Sequence, residues 1–288
     1  MEVSAHLEHL TDSDIMLLVQ VSHTRDVEGL RQFLDEREEA LGDLLASDPM
    51  YETLFGSSQD PALLHASPFL IFAVLISRAH ADLKQAIFVE EWLGPSRRIP
   101  VFEVESLQNF SADMRHQLFL AEVLASYTRV ASGSFWVQTP RGWQRRRYSE
   151  LDLMRMVEIL DIVPESQRAA VLRRLGDLAL FLSGVFPDSS GFGTFRPGVQ
   201  RRLQTAVGAD QQAESTSTMD QNSSMGFLEL IGSASYRQAS ISVEQTGGVT
   251  GTLKDMAGNF GDARRVLNFV TDKYLFPFRD RWFQFGQS

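Results

Sequence analysis

Between Pro164 and Pro187 the apolar residues Val171, Leu175, Leu178, Leu182 and Val185 recur at alternating spacings of four and three, which is one face of an α-helix turned toward a core. Ala179, Leu180 and Phe181 fill intervening positions with further apolar groups, so the end of this helix is expected to be enclosed by other helices on most sides. The same rhythm recurs along the chain. Asp26 is placed to cap a helix that turns Val27, Leu30, Leu34, Leu41 and Leu45 inward, with Asp35, Glu36, Glu38, Glu39 and Asp43 on its solvated face. Pro49 suits the first turn of a short helix, and Ser67 with Pro68 suits the cap and first position of an apolar helix from Phe69 to about Gln85. Ser111 is expected to open another, with Met114, Leu118, Ala121 and Ala125 on one stripe. Ser149 with Asp152 reads as a capping box ahead of Leu153, Val157 and Leu160, and Thr252 with Asp255 as a second. Behind the second box runs a stripe of Leu253, Met256, Phe260, Ala263, Leu267, Val270 and Tyr274, which Gly258 and Gly261 are expected to split.

One stretch departs from this period. Ser134–Thr139 and Trp143–Tyr148 flank Pro140-Arg141-Gly142, which predicts a β-hairpin near 134–148 with glycine in a three-residue turn. Arg98–Glu103 reads as a third short strand, held to an edge by Pro100. The predicted fold is therefore mainly α, a bundle-like orthogonal array of many helices with one small hairpin. Residues 206–224 are rich in Gln, Ser, Thr and Asp and poor in large apolar groups, so burial cannot offset their ordering entropy and a mobile loop is expected. This organises the chain as a helical domain over 1–205, the loop, and C-terminal helices over 225–288 too few to stand alone and expected to dock on the first part.

Composition narrows the functional classes. The chain of 288 residues contains no cysteine, which removes disulfides, thiolate metal sites and cysteine nucleophiles and fits a cytoplasmic setting. The N-terminus lacks the basic-then-apolar profile of an export signal. The longest apolar run, Phe69–Ile76, is far shorter than the ~20 residues that cross a bilayer, so no membrane partner is expected. Residues 1–60 hold fourteen acids against three arginines while the remainder is nearly balanced, and the chain as a whole carries −10. That balance argues against a phosphate-gripping surface over most of the protein. Twenty-four arginines against three lysines point to a GC-rich bacterial coding bias.

Four groups of residues invite a chemical reading. The hairpin carries Arg141, Arg145, Arg146 and Arg147 among Trp136, Trp143 and Tyr148 and follows a helix, the element order of a winged-helix DNA-binding module. The preceding helix is too apolar for a groove, so nucleic acid is the less favoured partner. Gly247–Thr252 with Lys254 resembles a phosphate-holding helix entry but lacks Walker spacing. His6, Glu8 and His9, and Asp113 with His116, are the nearest approach to a metal set, and no second acid-x-x-His pair accompanies them; no metal and no cofactor is assigned. Asp177, Glu229 and Arg237 interrupt apolar helices and need partners. Arg173 lies one turn from Asp177, which suggests a structural pair; the rival reading converges Arg173, Asp177, Glu229, Tyr236 and Arg237 on a small-molecule pocket. The aromatic tail from Phe269 to Phe285 either packs on its own domain or into a second copy. No serine, histidine and acid set with a nucleophile elbow is present to suggest hydrolysis.

The segment Arg173-Arg-Leu-Gly-Asp-Leu-Ala-Leu-Phe-Leu-Ser-Gly-Val-Phe-Pro187, and more loosely Ile231-Gly-Ser-Ala-Ser-Tyr-Arg237, resembles segments of uncharacterised, mostly helical bacterial proteins. The resemblance implies a related fold and no activity. The favoured expectation is a non-catalytic interaction or regulatory protein that binds a protein partner or self-associates, with a homodimer through the aromatic tail or an apolar helix face. A pocket protein or enzyme is the first alternative and winged-helix DNA binding the second.

Overall fold

The computed structural model describes residues 9–36, 40–56, 62–94, 97–129, 132–139, 142–149, 151–187, 196–209, 224–245 and 250–275. In order these form α1 (Asp12–Ser22), α2 (Val27–Glu36), α3 (Ala40–Ala46), α4 (Asp48–Phe55), α5 (Ala62–His65), α6 (Pro68–Leu83), β1 (Val89–Gly94), β2 (Arg97–Val101), α7 (Glu105–Ala112), α8 (Met114–Ser126), β3 (Ser132–Thr139) and β4 (Gly142–Ser149). They continue with α9 (Leu153–Leu160), α10 (Glu165–Val185), α11 (Pro197–Ala206), α12 (Ser224–Gln245), α13 (Gly251–Gly258), α14 (Phe260–Val270) and a five-residue π-helix (Thr271–Leu275). The fold is mainly α. Two compact units take their described residues from Met1–Val89, Pro100–Thr128 and Phe269–Trp282, and from Glu90–Ile99, Arg129–Asn268 and Phe283–Ser288.

The first unit is built on α6. Ser67 adopts an extended conformation and its Oγ accepts from the Leu70 N–H, with Pro68 at the first helical position, so the expected cap is the observed one. Phe69 to Ser77 are all buried, and α8 packs along them with Leu118, Phe119, Leu120, Ala121, Val123 and Leu124. Two polar side chains inside this core satisfy each other: Ser77 Oγ donates to Gln117 Oε1 at 2.7 Å, and Gln117 Nε2 donates to the Ser111 carbonyl at 2.7 Å. Asp14 is buried because it serves two helix starts, accepting from the Thr11 N–H in a capping box and from the Ser67 N–H at 2.7 Å. The helix expected to start at Ser111 begins at Met114. Ser111 lies in the last turn of α7, its hydroxyl 2.8 Å from His80 Nδ1, and Asp113 is the extended cap accepting from the Arg115 N–H. The helix expected to run from Val27 to Leu45 is two helices, α2 and α3, and residues 37–39 lie outside the described residues.

In the second unit α10 packs along α12 over much of its length. Every residue from Leu175 to Val185 is buried, Ser183 and Gly184 included, which matches the enclosed end expected from the apolar run. Gly176 permits this contact, and Gly232 permits the approach of Phe260 from α14 to α12. A Cβ on Gly176 would stand 2.5 Å from the Tyr236 ring, and one on Gly232 would stand 2.2 Å from the Phe260 ring, far inside van der Waals contact. Asp152 alone caps α9, accepting from the Met154 and Arg155 N–H groups, while Ser149 Oγ accepts from Leu151 instead of completing a box. The second expected box is likewise displaced: Thr252 lies inside α13, and Thr250 precedes it with its hydroxyl on Glu244. The stripe from Leu253 is interrupted at Asn259, between the two glycines. Of the tract expected to be mobile, Val207 and Ala209 are buried and Gly208 takes the left-handed conformation that ends α11; residues 210–223 lie outside the described residues.

Among the described residues two small hairpins accompany the helices. In the expected one β3 pairs antiparallel with β4 from Ser132↔Ser149 to Thr139↔Gly142, so Gly142 is the first paired residue of its strand and not part of the turn. Arg98–Glu103 does not add a strand there. Residues Arg97–Val101 pair with Val89–Gly94 to form a separate two-stranded sheet. Among the described residues no helix is long and apolar enough to cross a membrane.

Candidate functional site

Polar groups gather inside the second unit around α12, whose interior face carries Glu229 and, two turns further on, Tyr236. The Tyr236 hydroxyl is buried and donates to Asp177 Oδ1 at 2.9 Å. Gly176, next to Asp177, leaves the space in which the phenol ring lies. Arg173, one turn before Asp177, is half-buried, and so is Arg237, whose carbonyl accepts from Ser240 Oγ.

Glu229 faces a different partner. Arg264 of α14 is 1 % exposed and its guanidinium is divided among four groups. Nη2 donates to Glu91 Oε1 at 2.8 Å, Nε to Glu229 Oε2 at 3.3 Å, and Nη1 to Asn268 Oδ1 at 3.1 Å and to Met225 Sδ at 3.4 Å. Asn268 passes the link onward, since its Nδ2 donates to the carbonyls of Ser183 and Gly184 at 3.0 and 2.7 Å. These carbonyls belong to the last turn of α10, where no intrahelical donor is left for them. One buried arginine thus joins β1, α12 and α14, and through Asn268 the C-terminus of α10. Arg265 lies beside it, its Nε 3.6 Å from Glu91 Oε2 and its Nη1 3.6 Å from Asp262 Oδ1. Among the described residues Nε and Nη2 of Arg265 are enclosed without a hydrogen-bond partner.

The composition of this cluster limits its chemistry. Arg264 and Arg265 are set against Glu91, Glu229 and Asp262, a local balance of one negative charge that disfavours an anionic ligand at Arg265. Guanidinium groups stay protonated and serve neither as acid nor as base near neutrality. Of the five residues named for a pocket, Asp177 and Tyr236 are joined in one polar link and Glu229 enters another with Arg264. Arg264 and Asn268 were not legible as part of a site. The available signal was Glu229, an acid in an apolar stretch whose partner had to come from elsewhere in the chain.

The other candidates are placed as follows. Arg145 is exposed and its Nε donates to Ser134 Oγ at 2.8 Å. Arg146 and Arg147 stand opposite Phe135 and Ser134 in the ladder, while Arg141 lies outside the described residues. The helix a winged module would insert in DNA is α8, and its apolar side chains fill the first unit's core. His116 is stacked on Phe110 at 4.4 Å with its Nδ1 3.0 Å from the Phe110 carbonyl. Burial alone would raise the neighbouring Asp113 carboxyl, but the hydrogen bonds from Arg115 outweigh it and hold the group below its ordinary value. Among the described residues no three His, Asp or Glu side chains are grouped as a metal site; His6 and Glu8 lie outside them. So do residues 246–249 of the glycine-rich entry, and Phe276, Pro277, Phe278, Trp282, Phe283 and Phe285 of the aromatic tail. In the first unit, Tyr274 on the π-helix hydrogen-bonds Asp82, which also accepts from Lys273 Nζ at 2.7 Å. Burial first, and then the Asp82 carboxylate, raise the Tyr274 phenol above its ordinary value.

Comparison with protein-family models, curated proteins and solved structures finds no match to the chain.

Proposed function

We propose that this is a non-catalytic interaction or regulatory protein whose interior polar groups are structural. The observation that supports this reading is the guanidinium of Arg264, spent on Glu91, Glu229 and Asn268. A helical ligand-binding protein turns such charges toward its guest; here they bind together helices and a hairpin. The Asp177–Tyr236 bond acts in the same sense between α10 and α12. A molecule of this kind acts through its surface, by presenting side chains to another protein.

Native mass spectrometry of the gently purified chain tests the reading. The expected spectrum contains the chain alone or with another protein, free of small-molecule adducts. A stoichiometric adduct that Tyr236→Phe abolishes while the protein stays folded would instead establish the pocket.

A further inference from the structure

The first unit exposes two phenylalanine rings side by side, with an exposed isoleucine next to one of them in the chain. Ile87 is 78 % exposed, Phe88 49 % and Phe102 70 %, and the rings of Phe88 and Phe102 lie 5.9 Å apart. Isolated apolar side chains on a surface are ordinary, whereas a contiguous group carries meaning. The chain on either side of them is anchored. Val89 and Val104 are buried on either side, the Val104 N–H donates to the Phe102 carbonyl at 3.1 Å, and the Ala86 N–H and Gln108 Nε2 both donate to the Leu83 carbonyl. The patch is therefore presented by anchored chain and does not need to be ordered on binding, which lowers the entropic cost of docking.

We infer that Ile87, Phe88 and Phe102 form the docking site for a short segment of another protein, one that carries large apolar anchors flanked by lysine or arginine. This deepens the interaction reading above and rests on it. The size of the patch sets the kind of partner. Fully burying an aromatic side chain hides about 150–250 Å², so two partly exposed phenylalanines and an isoleucine offer on the order of a few hundred. A stable pair of globular surfaces hides about 800 Å² on each partner. The patch suits one segment inserting a few anchors and is too small to hold a second copy of the chain. Charge sets the chemistry. Glu103 and Glu105 are exposed beside Phe102, with Lys84 on the far flank, and the whole chain carries −10. A second acidic copy would be repelled and a basic segment drawn in. The same sign disfavours an anionic membrane surface.

The test is selection of random twelve-residue peptides on the immobilised full chain, followed by titration of the winners against wild type and against Phe88→Ser/Phe102→Ser. Both changes are at the surface, and an unchanged melting temperature and circular dichroism spectrum would verify that the variant is folded. The expected winners are rich in Lys or Arg with large apolar residues. They bind with micromolar Kd, weaken as salt rises, and lose at least tenfold on the double variant; Ile87→Ser alone gives a smaller loss in the same direction. Winners that bind the variant equally well, acidic winners, or no enrichment would each overturn the proposal. So would sedimentation showing a wild-type dimer that the variant dissolves, or binding of the chain to phosphatidylserine vesicles through the patch. These outcomes leave the broader reading standing, because that reading fails on a different result, a small molecule copurifying with the second unit.

Discussion

The Tyr236 hydroxyl donates to Asp177 Oδ1 at 2.9 Å from a helix fifty-nine residues further along the chain, and both residues are buried. Removing the hydroxyl leaves a carboxylate in a low-dielectric interior with one donor fewer, the costly direction of change. Tyr236→Phe is expected to lower stability by about 1–3 kcal/mol, measured by urea unfolding with the slope unchanged. An unaltered midpoint would mean that the bond is incidental to the fold.

Arg264 is the side chain whose loss should matter most. Without it Glu91 and Glu229 face each other's neighbourhood with their central cation gone, and breaking a buried pair from one side costs about 3–5 kcal/mol. Arg264→Met should approach that figure. Arg264→Lys should recover little, because a single ammonium cannot reproduce a guanidinium whose three nitrogens serve Glu91, Glu229 and Asn268 from fixed directions. The reading is rejected if the lysine variant unfolds at the wild-type denaturant concentration.

How much of this was written legibly in the chain depends on the range of the interaction. The α10 face, the Ser67–Pro68 cap and the interruption near Gly258 and Gly261 follow from residues within a few positions of one another, and the structure has all three. Ser111, Ser149 and Thr252 mislead because a hydroxyl suits several local roles, and tertiary partners decide among them; Ser111 is taken by His80. Arg264 falls next to Ala263 in the periodic stripe and so reads as the edge of a solvated face. Its burial is decided by Glu91, 173 positions earlier, which no local pattern contains. Arg173 and Asp177 suggested a pairing within one helix, and the donor that the structure adds is the distant Tyr236.

Gly232 tests close packing in the second unit. A methyl group there would meet the Phe260 ring at 2.2 Å and the Ala179 side chain at 3.1 Å. Gly232→Ala is expected to cost about 1–3 kcal/mol through overpacking, although alanine favours the helix by itself. Phe260→Leu removes the ring, so the double variant should be more stable than the sum of the two single changes implies. Strict additivity in thermal unfolding would place the clash elsewhere.

Stability should also depend on pH through His80. Burial, and after it the charge of Lys84, lower the pKa of this imidazole below its ordinary 6.5, and its Nδ1 is 2.8 Å from Ser111 Oγ. The unfolded chain takes up the proton with ordinary affinity and the folded chain takes it up less readily. Below about pH 6.5 the unfolded state therefore holds more protons, and folding stability falls as the pH drops; above it both states are neutral and the contribution is constant. His80→Asn keeps a polar atom near the Nδ1 position and removes the titration. Melting temperatures at pH 7.5 and pH 5.0 should show a larger acid-induced drop in wild type than in this variant, and equal drops would exclude His80 as a source of the dependence.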